Sequence, residues 1–169
     1  MKLIGLAAIF AAIMGTGELK VKSDAVKVNF EMPSEKVKGT IGGFRAKINF
    51  DKDNLAASSI EGTVDVKTLD TGSKMRDKHL KTDDFFSAET YPTISFKSSE
   101  IAAGGDTYRM KGMMQIEDQS HEEWISFTFS DKVFKASTQI DLTHYDVGKF
   151  SKGKSEKSQV MIDIIVPVE

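Results

Sequence analysis

The sequence predicts an all-β fold in which about eight antiparallel strands form a barrel or a sandwich. Three observations support this class. Apolar and polar residues alternate with a period of two in successive segments from Leu19 onward, and clusters of turn-forming residues separate these segments. Between Thr71 and Glu89 the alternation stops and a short helical pattern replaces it. We therefore expect an antiparallel meander with a short helix and loop insertion around residues 71–90.

The alternation is clear in the first strand, where the apolar residues Val26, Val28, Phe30 and Met32 alternate with Lys27, Asn29 and Glu31. This is the pattern of a half-buried strand. A hairpin signal, Gly104-Gly105-Asp106, divides two later strands. The other predicted strands take their apolar residues from segments 44–50, 60–66, 94–96, 108–116, 125–129, 134–142 and 160–168.

The insertion at 71–90 combines a helix with an aromatic pair. Residues 73–80 have helical spacing, and Ser73 can serve as the N-cap. Phe85 and Phe86 are adjacent, so in a regular strand only one of them would point into the core. In a loop both can plug a barrel mouth. We hypothesise that one packs as core and the other lines a ligand entrance.

The N-terminus predicts a signal peptide. Lys2 precedes an apolar run over residues 3–14, and small residues follow as far as Gly17. The run is short for a bilayer core, which takes about 20 residues. We expect residues 1–17 to be removed, residues 18–169 to form one domain, and the protein to be periplasmic or secreted. A buried N-terminal helix or an uncleaved anchor is the alternative.

The composition excludes several classes of function. The formal net charge of −2 offers no basic face for nucleic acid, and a chain without cysteine has no disulfides, thiolate ligands or cysteine nucleophile. The histidines, His79, His121 and His144, are far apart in sequence and lack metal-ligand spacing. We therefore expect no metal site and no cofactor, and we interpret His121 as a surface residue in an acidic turn.

One further loop, residues 148–158, carries lysines among glycines and serines. It predicts a flexible connection between the last two strands. A run of lysines of this kind is typically a solvated loop. The alternative is contact with an anionic head group or a membrane surface.

The predicted interior mixes large and small side chains. A barrel of about eight strands is just wide enough to be filled by side chains or to hold one small ligand. Gly62, Gly112 and Ala136 either leave room for a ligand or serve as packing partners for the large residues. The sequence leaves both possibilities open.

Four segments between residues 69 and 98 resemble the signature of the YceI-like family. The most specific is the Arg-Asp-x-His-Leu series within the second segment, followed by Phe-Phe and Tyr-Pro at the family's spacing. The segments are 69–72, 75–80, 84–86 and 91–98. Upstream, residues 39–51 and 59–65 resemble the family's second and third strands.

The resemblance implies a lipocalin-like antiparallel β-barrel, periplasmic or secreted, that holds a polyisoprenoid or another long amphiphile such as a fatty acid. It implies no catalytic activity. The chain departs from the family pattern in two places. No histidine lies between Glu18 and Phe50, and an acidic segment, 117–123, stands where a Gly-Val-Thr or Gly-Val-Ser hairpin is usual. Both departures leave the predicted fold intact and the identity of the ligand open.

The candidate ligand-binding residues are apolar and lie either on the inward parity of a strand or in the insertion. They are Phe30, Phe44, Ile48, Phe50, Val64, Val66, Leu80, Phe85, Phe86, Ile94, Phe96, Met110, Met114, Phe127 and Phe129. Arg76, Asp77 and His79 are the polar candidates. They either satisfy backbone groups and hold the helix across one barrel end, or contact a ligand head group. No serine lies in a nucleophile motif, so we name no catalytic residue.

The leading hypothesis is a periplasmic carrier or buffer for a long-chain lipid, without enzymatic activity and not membrane-spanning after signal cleavage. A homodimer is possible. The main alternative is a cell-envelope protein-interaction or stress module with a filled core and no ligand. A third alternative is an enzyme that acts on a hydrophobic substrate.

Overall fold

The computed structural model describes residues 17–148 and 157–169. The predicted signal peptide up to residue 16 and residues 149–156 of the predicted basic loop lie outside this part of the chain. Within the described residues, no helix has the length and apolar character needed to span a membrane.

Eight strands form a closed antiparallel barrel, which confirms the predicted class and resolves the choice between barrel and sandwich. Each strand pairs with the next along the chain, and the last pairs with the first. The strands are β1 (Lys27–Met32), β2 (Val37–Asn49), β3 (Ser59–Asp70), β4 (Thr93–Gly104), β5 (Thr107–Ile116), β6 (Gln119–Ser130), β7 (Val133–Asp141) and β8 (Gln159–Pro167).

The alternation in the sequence becomes an inward and an outward face. In β6, Glu123, Ile125 and Phe127 are buried, whereas Trp124 and Ser126 between them are exposed. Curvature is added where β2 pairs with β3, because the register shifts around Gly43. Gly43 has φ +66°, and a Cβ there would lie 2.6 Å from the Cβ of Asp65. Such a bulge bends the strand and helps the sheet to close.

The insertion contains one α-helix, α1 (Lys74–Leu80), within the predicted segment. Ser73 occupies the N-cap position, as predicted, but its hydroxyl makes no capping hydrogen bond. Instead, its carbonyl oxygen accepts a hydrogen bond from the backbone N–H of Asp77 at 2.9 Å.

The two ends of the barrel are built differently. At the closed end, where β2, β4 and β6 finish, the ring of Phe50 lies 5.1–5.6 Å from the rings of four other aromatic residues. These are Tyr108, Phe127, Phe129 and Phe134. The opposite end, which we call the α1 end, is covered by α1 with its following loop and by a 3₁₀ helix, Leu142–Tyr145. The covers touch, since a Cβ on Gly148 would lie 2.2 Å from the carbonyl oxygen of Asp84.

Candidate functional site

The barrel encloses a cavity of about 510 Å³, so its interior is hollow. All eight strands contribute lining side chains, and almost all of them are apolar. The volume falls within the range of about 300–1,000 Å³ that is typical of small-molecule sites. Phe127 and Phe134 belong to both the lining and the aromatic cluster of the closed end, and therefore form the floor of the cavity.

Gly62 and Gly112 are packing partners of aromatic rings, and yet the core is not filled. A Cβ on Gly112 would lie 2.6 Å from the ring of Phe96 and 2.2 Å from the Lys97 carbonyl oxygen. Likewise, a Cβ on Gly62 would lie 3.6 Å from the Phe44 ring. Each of the two possibilities drawn from the sequence is therefore partly true. The glycines let the rings lie flat along the wall, and the centre of the barrel stays open.

Most of the predicted ligand-binding residues line this cavity. They are Phe30, Phe44, Ile48, Val64, Leu80, Phe85, Phe86, Ile94, Phe96, Met110, Met114 and Phe127. Three of the predicted residues are not in the lining. Phe50 and Phe129 belong to the aromatic cluster at the closed end. Val66 is 2% exposed and packs in the wall, with its backbone N–H donating to the Pro92 carbonyl oxygen at 2.9 Å.

Sequence reasoning missed much of the lining from the first strand and the last two strands. Residues on the inward parity of these strands complete the wall, namely Val28, Met32, Ala136, Ile140, Val160, Ile162, Ile164 and Val166. Their signal was present in the sequence, because each lies on the same period-two alternation that predicted its strand. They were missed because we chose mainly aromatic and signature-region residues.

At the α1 end, Arg76 and Asp77 are held against the end of β3 by Thr71. The Asp77 Oδ1 atom accepts hydrogen bonds from the Thr71 backbone N–H at 2.9 Å and from its hydroxyl at 2.5 Å. Arg76 donates through Nε to Thr71 Oγ1 at 2.8 Å and through Nη2 to the Thr71 carbonyl oxygen at 3.0 Å. The hydrogen bond from the Thr71 hydroxyl is the main reason that the pKa of Asp77 is lowered. These contacts anchor α1 across the barrel end.

Polar and aromatic side chains meet at the rim of the cavity beneath α1. Arg76 and His79 line the cavity together with Phe85 and Phe86, so both phenylalanines border the interior. The edge of the His79 ring faces the Phe85 ring, with centroids 5.0 Å apart, and His79 Nε2 lies 3.3 Å from Asp84 Oδ2. An apolar chamber with ionisable groups at one rim matches the shape and polarity of an amphiphile.

The YceI-like domain model matches residues 19–168. The chain belongs to the YceI-like family. Among curated relatives, a UPF0312 protein of Vibrio cholerae is 32% identical over 125 residues, and one of Photorhabdus laumondii is 27% identical over 139 residues. These alignments cover 69% and 75% of this chain. They span 66% and 71% of the relatives' own length, so this YceI-like chain matches just under two thirds of the Vibrio protein.

Solved structures place the YceI-like barrel among known folds. BcnA of Burkholderia cenocepacia superposes with a TM-score of 0.79 at 26% identity, covering 87% of this chain and 98% of that one. A Campylobacter jejuni YceI protein gives 0.68 at 21% identity, covering 79% and 85%. A polyisoprenoid binding domain from Saccharophagus degradans gives 0.61 at 11% identity, covering 88% and 95%. The last two likenesses are evidence for the fold alone.

One prediction about the histidines in this YceI-like chain is wrong. His121 lies within β6, on its inward parity and half-buried, and not in a turn at the surface. His121 and His144 are far apart in the sequence but meet in the fold, where their rings are stacked with centroids 4.0 Å apart. The acidic segment 117–123 contributes only Glu117 and Asp118 to the turn before β6 begins.

Proposed function

We propose that this protein binds a long-chain isoprenoid or another amphiphilic lipid inside its barrel and serves as an exported, periplasmic carrier or buffer. The observation that carries the proposal is the hollow apolar interior with ionisable groups at one rim. A filled core, as required by the alternative of a pure protein-interaction module, would not leave a cavity of about 510 Å³.

The free energy of binding would come from the chain of the ligand. Moving one CH₂ group from water into an apolar site contributes about 0.8 kcal/mol, so a five-carbon isoprene unit contributes at most about 4 kcal/mol. The lining offers Met110 and Met114 beside the aromatic rings. Methionine side chains adapt to irregular shapes, so this wall accepts a flexible guest better than a rigid one.

The head group would remain at the α1 end. Arg76 has five N–H donors, and its hydrogen bonds to Thr71 use two of them. A guanidinium held at the rim in this way is suited to a phosphate, a carboxylate or a carbonyl oxygen. Because Arg76 and Asp77 are engaged with Thr71, we assign them to anchoring and head-group contact and propose binding without catalysis.

Family membership and the sequence support the rest of the proposal. The Saccharophagus degradans domain is described as polyisoprenoid binding, and we carry that ligand class to this chain as a hypothesis. Export follows from Lys2 and the apolar run at residues 3–14.

The test is native mass spectrometry of the chain purified without detergent from the periplasmic fraction of its own organism, followed by organic extraction. We expect one amphiphile per chain, released by the extraction and identified by its mass. Absence of the chain from that fraction would contradict the periplasmic location. A chain that is empty and also takes up neither added isoprenoid alcohols nor fatty acids would contradict the ligand proposal.

A further inference from the structure

Three metal-ligating side chains meet at the α1 end of the barrel, outside the lipid cavity. His121 and Glu123 lie two residues apart on the inward parity of β6. The 3₁₀ helix Leu142–Tyr145, which follows β7, brings His144 beside them. One nitrogen or oxygen atom from each side chain lies within 4.8 Å of the other two.

The separation of the first two ligand atoms suits a tetrahedral metal ion. His121 Nδ1 lies 3.4 Å from Glu123 Oε1. Two ligands at about 2.1 Å from a tetrahedral zinc ion are themselves about 3.4 Å apart. His144 is exposed and stacked on His121. Because a metal lies in the plane of each imidazole that binds it, the His144 ring has to turn out of the stack for both imidazoles to bind one ion.

His121 Nδ1 is left without a hydrogen bond in the described structure. The atom is buried, and its contact with Glu123 does not have hydrogen-bond geometry. Buried polar atoms are nearly always satisfied, so such an atom calls for an explanation. A metal ion bonded to Nδ1 would provide one.

Glu123 supplies a second, independent observation. Its side chain is almost fully buried, with 9% of the residue exposed. The Tyr145 hydroxyl donates a hydrogen bond to its Oε1 atom at 2.8 Å. A carboxylate buried in this way is stabilised by a nearby cation, and a hydrogen-bonding partner that orients a ligand is the usual second shell of a metal site.

We propose that His121, Glu123 and His144 bind one divalent transition-metal ion, with zinc the best fit. Two imidazoles and one carboxylate are a known three-ligand set for zinc, with water in the fourth position. Tyr145 positions the Glu123 carboxylate. The site is separate from the cavity lining, although Ile125, the next inward residue of β6, belongs to that lining. The proposal therefore does not depend on lipid binding.

The test is isothermal titration of zinc chloride into the chelator-treated chain, expressed without an affinity tag. We expect one ion per chain, with a Kd in the micromolar range or below. His144→Ala removes an exposed ligand and should weaken zinc binding more than about tenfold. Loss of a second-shell partner alone costs at least about tenfold in metal affinity, and loss of a ligand should cost more. Glu123→Gln should do the same, and Tyr145→Phe should weaken binding about tenfold.

The matched control is Glu122→Gln, which makes the same change one residue away on the outward face, where Glu122 lies 3.7 Å from Lys111. It should leave the zinc affinity unchanged. Cobalt absorbance gives a second readout, since a tetrahedral site should show an intense visible band in the wild type and lose it in His144→Ala. Circular dichroism of each variant verifies folding. The proposal is overturned if zinc binds only in the millimolar range, or if Glu122→Gln and His144→Ala weaken binding equally.

Discussion

Narrowing the cavity at Ala136 should weaken lipid binding while making the protein more stable. Ala136 lies on the inward parity of β7, pairs with Ile164 and lines the cavity. Leucine at this position adds three carbon atoms that point into open space. If they displace three methylene groups of a bound chain, the lost burial is about 2.4 kcal/mol, or about a 50-fold rise in Kd. The same atoms fill empty volume in the unliganded barrel, which typically raises stability by about 0.5–2 kcal/mol.

The assay is displacement of a fluorescent fatty acid by the prenyl alcohol geranylgeraniol, with urea unfolding of the delipidated chain measured in parallel. Ser137→Leu is the matched control, because Ser137 follows Ala136 on the exposed face of the same strand. It adds a side chain of similar size outside the barrel. We expect affinity to fall and stability to rise in Ala136→Leu only. Equal ligand affinity in the two variants would refute the conclusion that the cavity is the binding site.

Two further predictions concern stability. Gly112→Ala should destabilise the barrel by about 1–3 kcal/mol or more, because its Cβ would lie 2.2 Å from the Lys97 carbonyl oxygen. Gly104→Ala is the control, since its Cβ would meet nothing closer than 3.8 Å, and equal urea midpoints for the two variants would contradict the packing argument. Burial is the main reason that the pKa of Glu117 is raised, so its charged form destabilises the folded protein. This destabilisation is absent below the ordinary carboxyl pKa and grows as pH rises through the folded pKa. Glu117→Gln should therefore raise the melting temperature at about pH 8 and change it little at about pH 4. A constant difference in melting temperature between variant and wild type across that range would show that burial of the charge is not the cause.

The strands were predictable because their signal is local. Each strand is half-buried, and the alternation of apolar and polar residues follows directly from the geometry of the pleat. The insertion was predictable for the same reason, since α1 and the adjacent Phe85 and Phe86 break that alternation. The sequence pattern did not decide between a barrel and a sandwich, because both use the same alternation; the pairing of β8 with β1 decides it.

The hollow interior and the histidine pair were not predictable, because both depend on distances across the barrel. Whether Gly112 leaves a void or receives a ring depends on the rotamer of Phe96 on the neighbouring strand, which is not encoded in alternation. Similarly, His121 and His144 meet only because the chain returns through β7 into a 3₁₀ helix over the α1 end. Spacing rules for metal ligands describe single helices and loops, and they miss ligands that the fold brings together.

The contrast between the two barrel ends determines how a lipid would enter and lie. Entry at the closed end would have to separate the ring of Phe50 from four aromatic neighbours at 5.1–5.6 Å, each such pair contributing about 0.5–1.5 kcal/mol beyond its burial. At the α1 end the cover is a loop in which Phe85 and Phe86 are half-buried and the His79–Asp84 contact is exposed. Exposed ion pairs contribute little, about 0–1 kcal/mol, so we expect the loop after α1 to open at lower cost while the hydrogen bonds to Thr71 keep α1 in place. Under the proposed lipid-binding function, a lipid that entered there tail first would place its tail on the aromatic floor and its head group beside Arg76, so we expect the difference between the two ends to orient the ligand.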